Sequence, residues 1–430
     1  MPERRFLSDL LQRLAGAGRL GRGRNGRDAP DLMALCTDLL GDRGELSGLV
    51  NALQVLDGFD AADATARLAF FGAVSARFGV DSAALERVIA AWKPGDDAAA
   101  RKIHIAAEPK SQELIRRLNR VPGATAKLVA MRAELLSVLP NAPDLSGLDQ
   151  DFQHLFSSWF NRGFLEIRRI DWSTSAAILE KVIAYEAVHE ITGWDDLRQR
   201  VADPDRRLFA FFHPAMPADP LIFIEVALTK QIPGAIAPIL NSQRDKVDPR
   251  AATTAVFYSI SNCQKGLRGI SFGNFLIKQV VAELQAELPG LKTFVTLSPV
   301  PGFSAWLAKA TDDDVLTKDE INQLRDLPIG ALPEAALAQK LAARYLMLAK
   351  RSEGTPYDPV AHFHLGNGAA LHKVHANADL SDNGRKAAFG VMVNYLYDGD
   401  RIEENHQAYA TERKIAASAE VKALASKTTK

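Results

Sequence analysis

Cysteine is nearly absent: Cys36 and Cys263 are the only two among 430 residues. Two thiols cannot build a disulfide framework or a cysteine-based zinc module, and their scarcity suits a reducing compartment. Surplus charge is lacking as well. Lysine plus arginine and aspartate plus glutamate stand at 52 each, so the formal net charge is zero. A general nucleic-acid binder carries a basic excess, so that class is excluded, local basic patches aside. No run of 18 or more apolar residues occurs, and no membrane-spanning helix is expected. The opening stretch, MPERRFLSDLLQRLAGAGRLGRGRNGR, is rich in arginine but has no apolar core of a secretory signal. Glu3 and Asp9 weigh against a transit peptide, and the final SKTTK is not a peroxisomal address. A cytoplasmic location is therefore the expectation.

What is present describes a folded protein. Hydrophobic residues make up 47% and charged residues 24% of the chain, and its length, at about 150 residues per domain, predicts two or three domains. The first third reads as helical. Residues 31–57 repeat leucine and methionine at three- and four-residue spacings, and 60–92, 110–120 and 124–139 do the same. Asp81 stands where a helix start needs a cap, with Glu86 in the early turns. Gly and Pro at 94–95, 122–123 and 140–143 punctuate these runs. The pattern predicts an antiparallel helix bundle over residues 1–164. It holds no cluster of His, Cys or carboxylates that marks a site.

From residue 165 the texture changes, giving a second expected domain over 165–430. LEIRRIDW (165–172) is strand-like, and helices are expected at 174–187 and 194–201. LFAFF (208–212) and LIFIEVALT (221–229) flank a Pro-containing turn and predict a hairpin. AVFYSISN (255–262), TFVTLSPV (293–300), AHFHLGNG (361–368) and VMVNYLYD (391–398) are read as further strands of a mixed sheet. Thr317 and Glu320 form a capping box for a helix over 318–326, and Pro333 suits the first turn of a helix running to about Lys350.

Three segments carry candidate chemistry. In FYSISNCQKGLRGISFGNFLIKQVV (257–281) a strand leads through Gly266, Gly269 and Gly273 into a helix expected to start near Ser271. Its face is Phe275, Leu276, Val280, Val281, Leu284 and Leu288. Glycines let backbone N–H groups approach an anion, and a helix N-terminus adds positive partial charge, so this reads as a phosphate cradle with Lys265 and Arg268 nearby. The spacing is neither G-K-[ST] nor a clean G-x-G-x-x-G, and glycines that only shape a strand–helix turn remain the other reading. In TFVTLSPVPGF (293–303) the pair Ser298-Pro299 breaks sheet pairing, which leaves Ser298 either facing a ligand between splayed strands or capping a turn. In FHLGNGA (363–369) His364 is either a proton donor or a partly buried structural histidine. The histidines at 362, 372 and 375 bring no carboxylate at ligand spacing, and His189-Glu190 continues as ITGW, so no metal site is expected.

Taken together, FFHPAMPADPLIFIEVALT (211–229), FYSISNCQKGLRGISFGNFLIKQVV (257–281), TLSPVPGF (296–303), FHLGNGA (363–369) and MVNYLYD (392–398) resemble the malonyl-CoA decarboxylase family in content, order and interval. The resemblance covers essentially the whole chain. It implies an α+β architecture: an all-helical N-terminal bundle followed by a mixed α/β catalytic domain like the GCN5-related N-acetyltransferases. It implies conversion of malonyl-CoA to acetyl-CoA and carbon dioxide, in malonate and fatty acid metabolism, with no metal, biotin or thiamine cofactor. The family's catalytic serine falls on Ser298, its catalytic histidine on His364, and a tyrosine near that histidine on Tyr397. The family's loop for the CoA pyrophosphate falls on Arg268, Gly269, Ile270, Ser271, Phe272, Gly273 and Asn274. Some members carry a carboxylate where this chain has Ser271, so no acid is expected to act there. The family also implies a homo-oligomer, and a dimer or tetramer held through the helical domain is expected; the zero net charge and the lack of a long apolar run leave no nucleic acid or membrane expected as partner. An acyl-CoA-dependent N-acyltransferase on the same fold and a non-enzymatic CoA-binding protein are the rival readings. The first needs an amine acceptor, and the second leaves the placement of Ser298 and His364 without a purpose.

Overall fold

A computed structural model describes residues 31–41, 44–272, 276–311, 315–325, 327 and 331–426. They gather into two compact units. The first takes the described residues of Met1–Glu166 together with Phe212–Leu221 and Gln264–Phe272; the second takes Ile167–Phe211, Ile222–Cys263 and the described residues of Gly273–Lys430. The main division falls two residues beyond the expected 164/165 boundary. Two later segments belong with the first unit, which a reading by continuous stretches did not foresee.

The first unit is helical: α1 Leu32–Leu40, α2 Glu45–Ala61, α3 Ala64–Phe78, α4 Ser82–Ala91, α5 Asp97–Ala107, α6 Lys110–Leu118, α7 Ala124–Val138 and α8 Ser146–Trp159. Aspartates set several starts. Asp31, Asp63, Asp81 and Asp96 each accept an N–H from the first turn of the helix they precede, at 2.8–3.0 Å. The Asp81 cap divides 60–92, expected as one run, into two helices, and 31–57 is also two, its second helix starting after Gly44 without a side-chain cap. The stretch Ala64–Ala91 is apolar enough by length and composition to cross a bilayer, but Gly79 and the Asp81 cap break it into α3 and α4. The core joins Phe59, Phe70 and Phe71, with ring centroids 5.3–6.4 Å apart, to Leu128, Leu135, Phe152 and Phe156. Leu267 and Ile270 are buried in the same core.

The sheet runs β1-β2-β3-β4-β5-β8-β6, with β7 paired to β8. Its strands are β1 Glu166–Ile170, β2 Arg206–His213, β3 Met216–Thr229, β4 Thr254–Asn262, β5 Thr293–Thr296, β6 Ser298–Pro299, β7 Ala370–His375 and β8 Met392–Leu396. β3 and β4 are antiparallel, and their register shifts between Glu225, opposite Ser259, and Val226, opposite Phe257. Tyr258 is therefore the extra residue of a bulge. β4 and β5 are parallel, so a helix, Leu276–Glu287, must connect them. Their register runs from Thr254↔Thr293 to Phe257↔Thr296. Beyond it the chain follows β8 instead, with Ser298↔Val393 and Pro299↔Met392.

Two sequence expectations need correction. Residues 361–368 do not form a strand: Pro359–Gly366 is a helix. The alternation Ala361, Phe363, Leu365 imitated period two, but Asp358 accepts from the N–H groups of Val360 and Ala361, both at 2.9 Å. Pro359 then opens the first turn, a helix start. The strand lies just after, as β7. The helix after the glycine loop is described from Leu276, with residues 273–275, Phe275 among them, outside the described part. The capping box is present: Thr317 N–H donates to Glu320 (3.0 Å) and Glu320 N–H to Thr317 Oγ1 (3.3 Å). Pro333 lies before the cap of the next helix, Ala335–Leu348, rather than in its first turn.

Candidate active site

Where β5 ends, backbone pairing with β4 ends too. Leu297 N–H makes the last bond, to Phe257 C=O at 3.0 Å. Pro299 has no N–H to offer a neighbouring strand. The second unit holds a cavity of about 250 Å³ lined by β4 residues Phe257, Tyr258, Ile260 and Asn262, by Ser298 and Pro299, and by His364 and Phe363 of the Pro359–Gly366 helix. Ile222, Ile224, Leu276 and Ile277 complete much of an apolar wall. No lysine or arginine is among the described lining residues.

Ser298, His364 and Tyr397, expected from separate segments, are brought together here. Ser298 Oγ lies 3.2 Å from His364 Nε2, and His364 Nδ1 lies 2.8 Å from the Tyr397 hydroxyl. All three are buried. Burial in apolar surroundings disfavours the imidazolium and pushes His364 down to about 3, so the ring is neutral at neutral pH. Burial likewise pushes the Tyr397 phenol well above its ordinary range.

Two residues that sequence reasoning missed fix this trio. Thr296 Oγ1 accepts from the Ser298 hydroxyl at 2.9 Å and from Tyr395 N–H at 3.1 Å. The Tyr395 ring stacks on the His364 ring, with centroids 4.5 Å apart and planes 26° from parallel. The available signal was period two: Thr296 and Ser298, like Tyr395 and Tyr397, are two apart on extended chain and share a side.

The expected phosphate loop is described from Arg268 to Phe272; Gly273 and Asn274 lie outside the described residues. Arg268 and Gly269 are exposed, and Gly269 takes φ +82°, a backbone conformation that favours glycine. Ile270 turns into the helical core, so only its backbone is left to face a ligand, and Phe272 packs partly against that core. Ser271 is exposed. Gly266 has a packing role. A Cβ there would overlap the Val129 carbonyl oxygen of α7, so this glycine allows close backbone packing. Among the described residues, no group of three or more His, Cys, Asp or Glu could hold a metal ion.

Comparison with known proteins gives the family. Residues 163–430 match the malonyl-CoA decarboxylase C-terminal domain and residues 78–160 the N-terminal domain of the same family. The mitochondrial malonyl-CoA decarboxylase of Anser anser anser is 34% identical over 351 residues, 73% of this chain and 69% of that one. The mitochondrial enzyme of Rattus norvegicus is 31% identical over 357 residues, 75% and 72% of the two chains. The crystal structure of malonyl-CoA decarboxylase from Rhodopseudomonas palustris aligns with a TM-score of 0.87 at 49% identity, over 93% of this chain and 100% of that one. That from Agrobacterium vitis aligns at 0.85 and 51%, over 92% and 100%. A family match across the whole second unit, with relatives and structures of one name, establishes that this chain belongs to the malonyl-CoA decarboxylase family.

Proposed function

We propose that this chain converts malonyl-CoA to acetyl-CoA and carbon dioxide in the apolar cavity, with Ser298 placing the carboxylate and His364 protonating the product enolate. The bond from the α-carbon to the carboxylate breaks, carbon dioxide leaves, and the electron pair enters the thioester as an enolate. The thioester is itself the electron sink, so the reaction needs no cofactor. The cleaving bond must stand perpendicular to the thioester plane, a matter of orientation. Ser298 serves this by hydrogen bonding to the carboxylate; a hydroxyl without a strong base beside it is better suited to that than to taking a proton. The β4 backbone, bulged at Tyr258 and without a β5 partner beyond Phe257, offers N–H donors for the enolate oxygen.

His364 then supplies the proton. With the Tyr397 hydroxyl donating to Nδ1, the ring proton sits on Nε2, on the side of Ser298. A neutral imidazole N–H is acid enough for a carbanion as basic as a thioester enolate, and solvent restores the proton after product leaves. An apolar wall with no lysine or arginine among its described residues also disfavours the ionised carboxylate against neutral carbon dioxide. The observation that carries this reading is Ser298 and His364 lining one such cavity within hydrogen-bond distance of each other, with Tyr397 bonded to the far side of the His364 ring. The test is purified chain with malonyl-CoA, a chelator and no amine. Equal amounts of acetyl-CoA and carbon dioxide are expected; transfer of the acyl group only when an amine is supplied would favour an acyltransferase.

The same reading assigns the CoA pyrophosphate to Arg268–Asn274, where an exposed arginine and a left-handed glycine suit phosphate oxygens. It also assigns self-association to the helical unit. In support, α4 and α5 contain no buried residue, and Ile89, Trp92 and Ile105 are 52%, 42% and 70% exposed.

A further inference from the structure

The Gln264–Phe272 segment packs with the helical unit, and one side chain of that unit bonds the segment's backbone twice. Arg132, on α7, is fully buried. Its Nη1 donates to the Gly266 carbonyl at 2.7 Å and to the Arg268 carbonyl at 3.0 Å. Its Nε donates to Asp149 Oδ1 of α8 at 2.8 Å. Asp149 in turn accepts from Gln153 Nε2 at 2.8 Å. A buried guanidinium is costly unless paired, and here Asp149 pairs it through Nε, Nη1 bonds both backbone carbonyls, and the buried Nη2 has no hydrogen-bond partner among the described residues. Leu267 and Ile270 are buried on either side of the exposed pair Arg268-Gly269. Gly266 meets α7 backbone to backbone. The segment is thus held at Gly266, Leu267, Ile270 and the Arg268 carbonyl, while the Arg268 side chain and Gly269 are left exposed.

We infer that Arg132 is a positioning residue for CoA binding: from within the helix bundle it fixes the backbone that presents Arg268 and Gly269 to the pyrophosphate. This rests on the proposed assignment of the phosphate loop. It gives the helical unit a part in holding substrate besides any part in self-association. A loop held in its bound shape before ligand arrives loses less ordering entropy on binding, so the effect falls on affinity.

Steady-state kinetics on the full chain tests this with two thioesters. Malonyl-CoA carries the pyrophosphate; the malonyl thioester of pantetheine lacks it. Arg132→Met combined with Asp149→Asn removes the pinning bonds without leaving a lone buried charge, and thermal melting checks that it folds. We expect KM for malonyl-CoA to rise on the order of tenfold with kcat nearly unchanged, a loss of scale with one or two charge-assisted hydrogen bonds. The pantetheine thioester should be processed as by wild type. Arg132→Lys, which keeps the charge but not the fork, should fall between. An unchanged KM for malonyl-CoA, or equal losses with both thioesters, overturns the role of Arg132. Arg268→Ala separates the two levels of the argument. If it raises KM for malonyl-CoA while the double variant does not, only Arg132 is misassigned; if Arg268→Ala also has no effect, the loop assignment itself fails.

Discussion

The cavity of the second unit and the glycine segment of the first solve opposite problems. The cavity must treat one carbon differently as its charge changes, and it uses side chains: a hydroxyl and an imidazole 3.2 Å apart on its wall, the imidazole held from behind by a phenol at 2.8 Å. The segment must hold a group that does not react, and it is built from backbone: a left-handed glycine, carbonyls tied down by Arg132, and side chains turned into the core. Interactions that strengthen only in the transition state raise kcat, whereas those present throughout lower KM. The two regions should therefore fail in different kinetic constants.

The largest expected effect is on the cavity. His364→Gln removes the proton donor, and kcat should fall by about a hundredfold or more with KM within a fewfold of wild type. Ser298→Ala should follow, with kcat down by roughly ten- to a hundredfold, the scale of a lost hydrogen bond to a charged group. On the other region, Gly269→Val forces a β-branched residue into positive φ. It should raise KM for malonyl-CoA about tenfold and leave kcat near wild type. A fall in kcat alone would erase the contrast. Tyr397→Phe should cost about fivefold in kcat, since only the orientation of His364 is lost.

Acid stability sharpens the contrast from another side. An ordinary histidine titrates near 6.5, and burial brings His364 to about 3 in the folded chain. Between these values the unfolded chain binds the proton and the folded chain does not. The stability contributed by neutral His364 is full above 6.5 and is lost as pH falls toward 3. Melting temperatures measured through this window should decline less steeply for His364→Gln than for wild type, whereas Gly269→Val should not change the slope.

Much of this was legible beforehand, and the reasons differ by region. Ser298-Pro299 announced a strand break because proline cannot continue a ladder, and the strand does break there. His364 was singled out from a short motif although its element was misread: Ala361, Phe363 and Leu365 alternate like a strand, while the Asp358-Pro359 start was overlooked. Thr296 and Tyr395 escaped notice because nothing in one strand says which residue of another it will face. Arg132 was illegible for a stronger reason. Its partners Gly266 and Arg268 lie more than a hundred positions away, and a buried arginine in a helical run looks like any solvated one. Gly266 packs against Val129, which its sequence context did not announce, since a glycine needed for packing and one needed for phosphate read alike.

Proton delivery is the claim on which the chemistry rests. Malonyl-CoA should be turned over by the purified full chain in deuterated buffer with a chelator, wild type beside His364→Gln, following carbon dioxide, acetyl-CoA and deuterium in its methyl group. The account predicts chelator-insensitive turnover by wild type, one carbon dioxide and one deuterium per acetyl-CoA, and a His364→Gln kcat lower by about a hundredfold or more at similar KM. Wild-type turnover by His364→Gln, or activity abolished by the chelator, would contradict it.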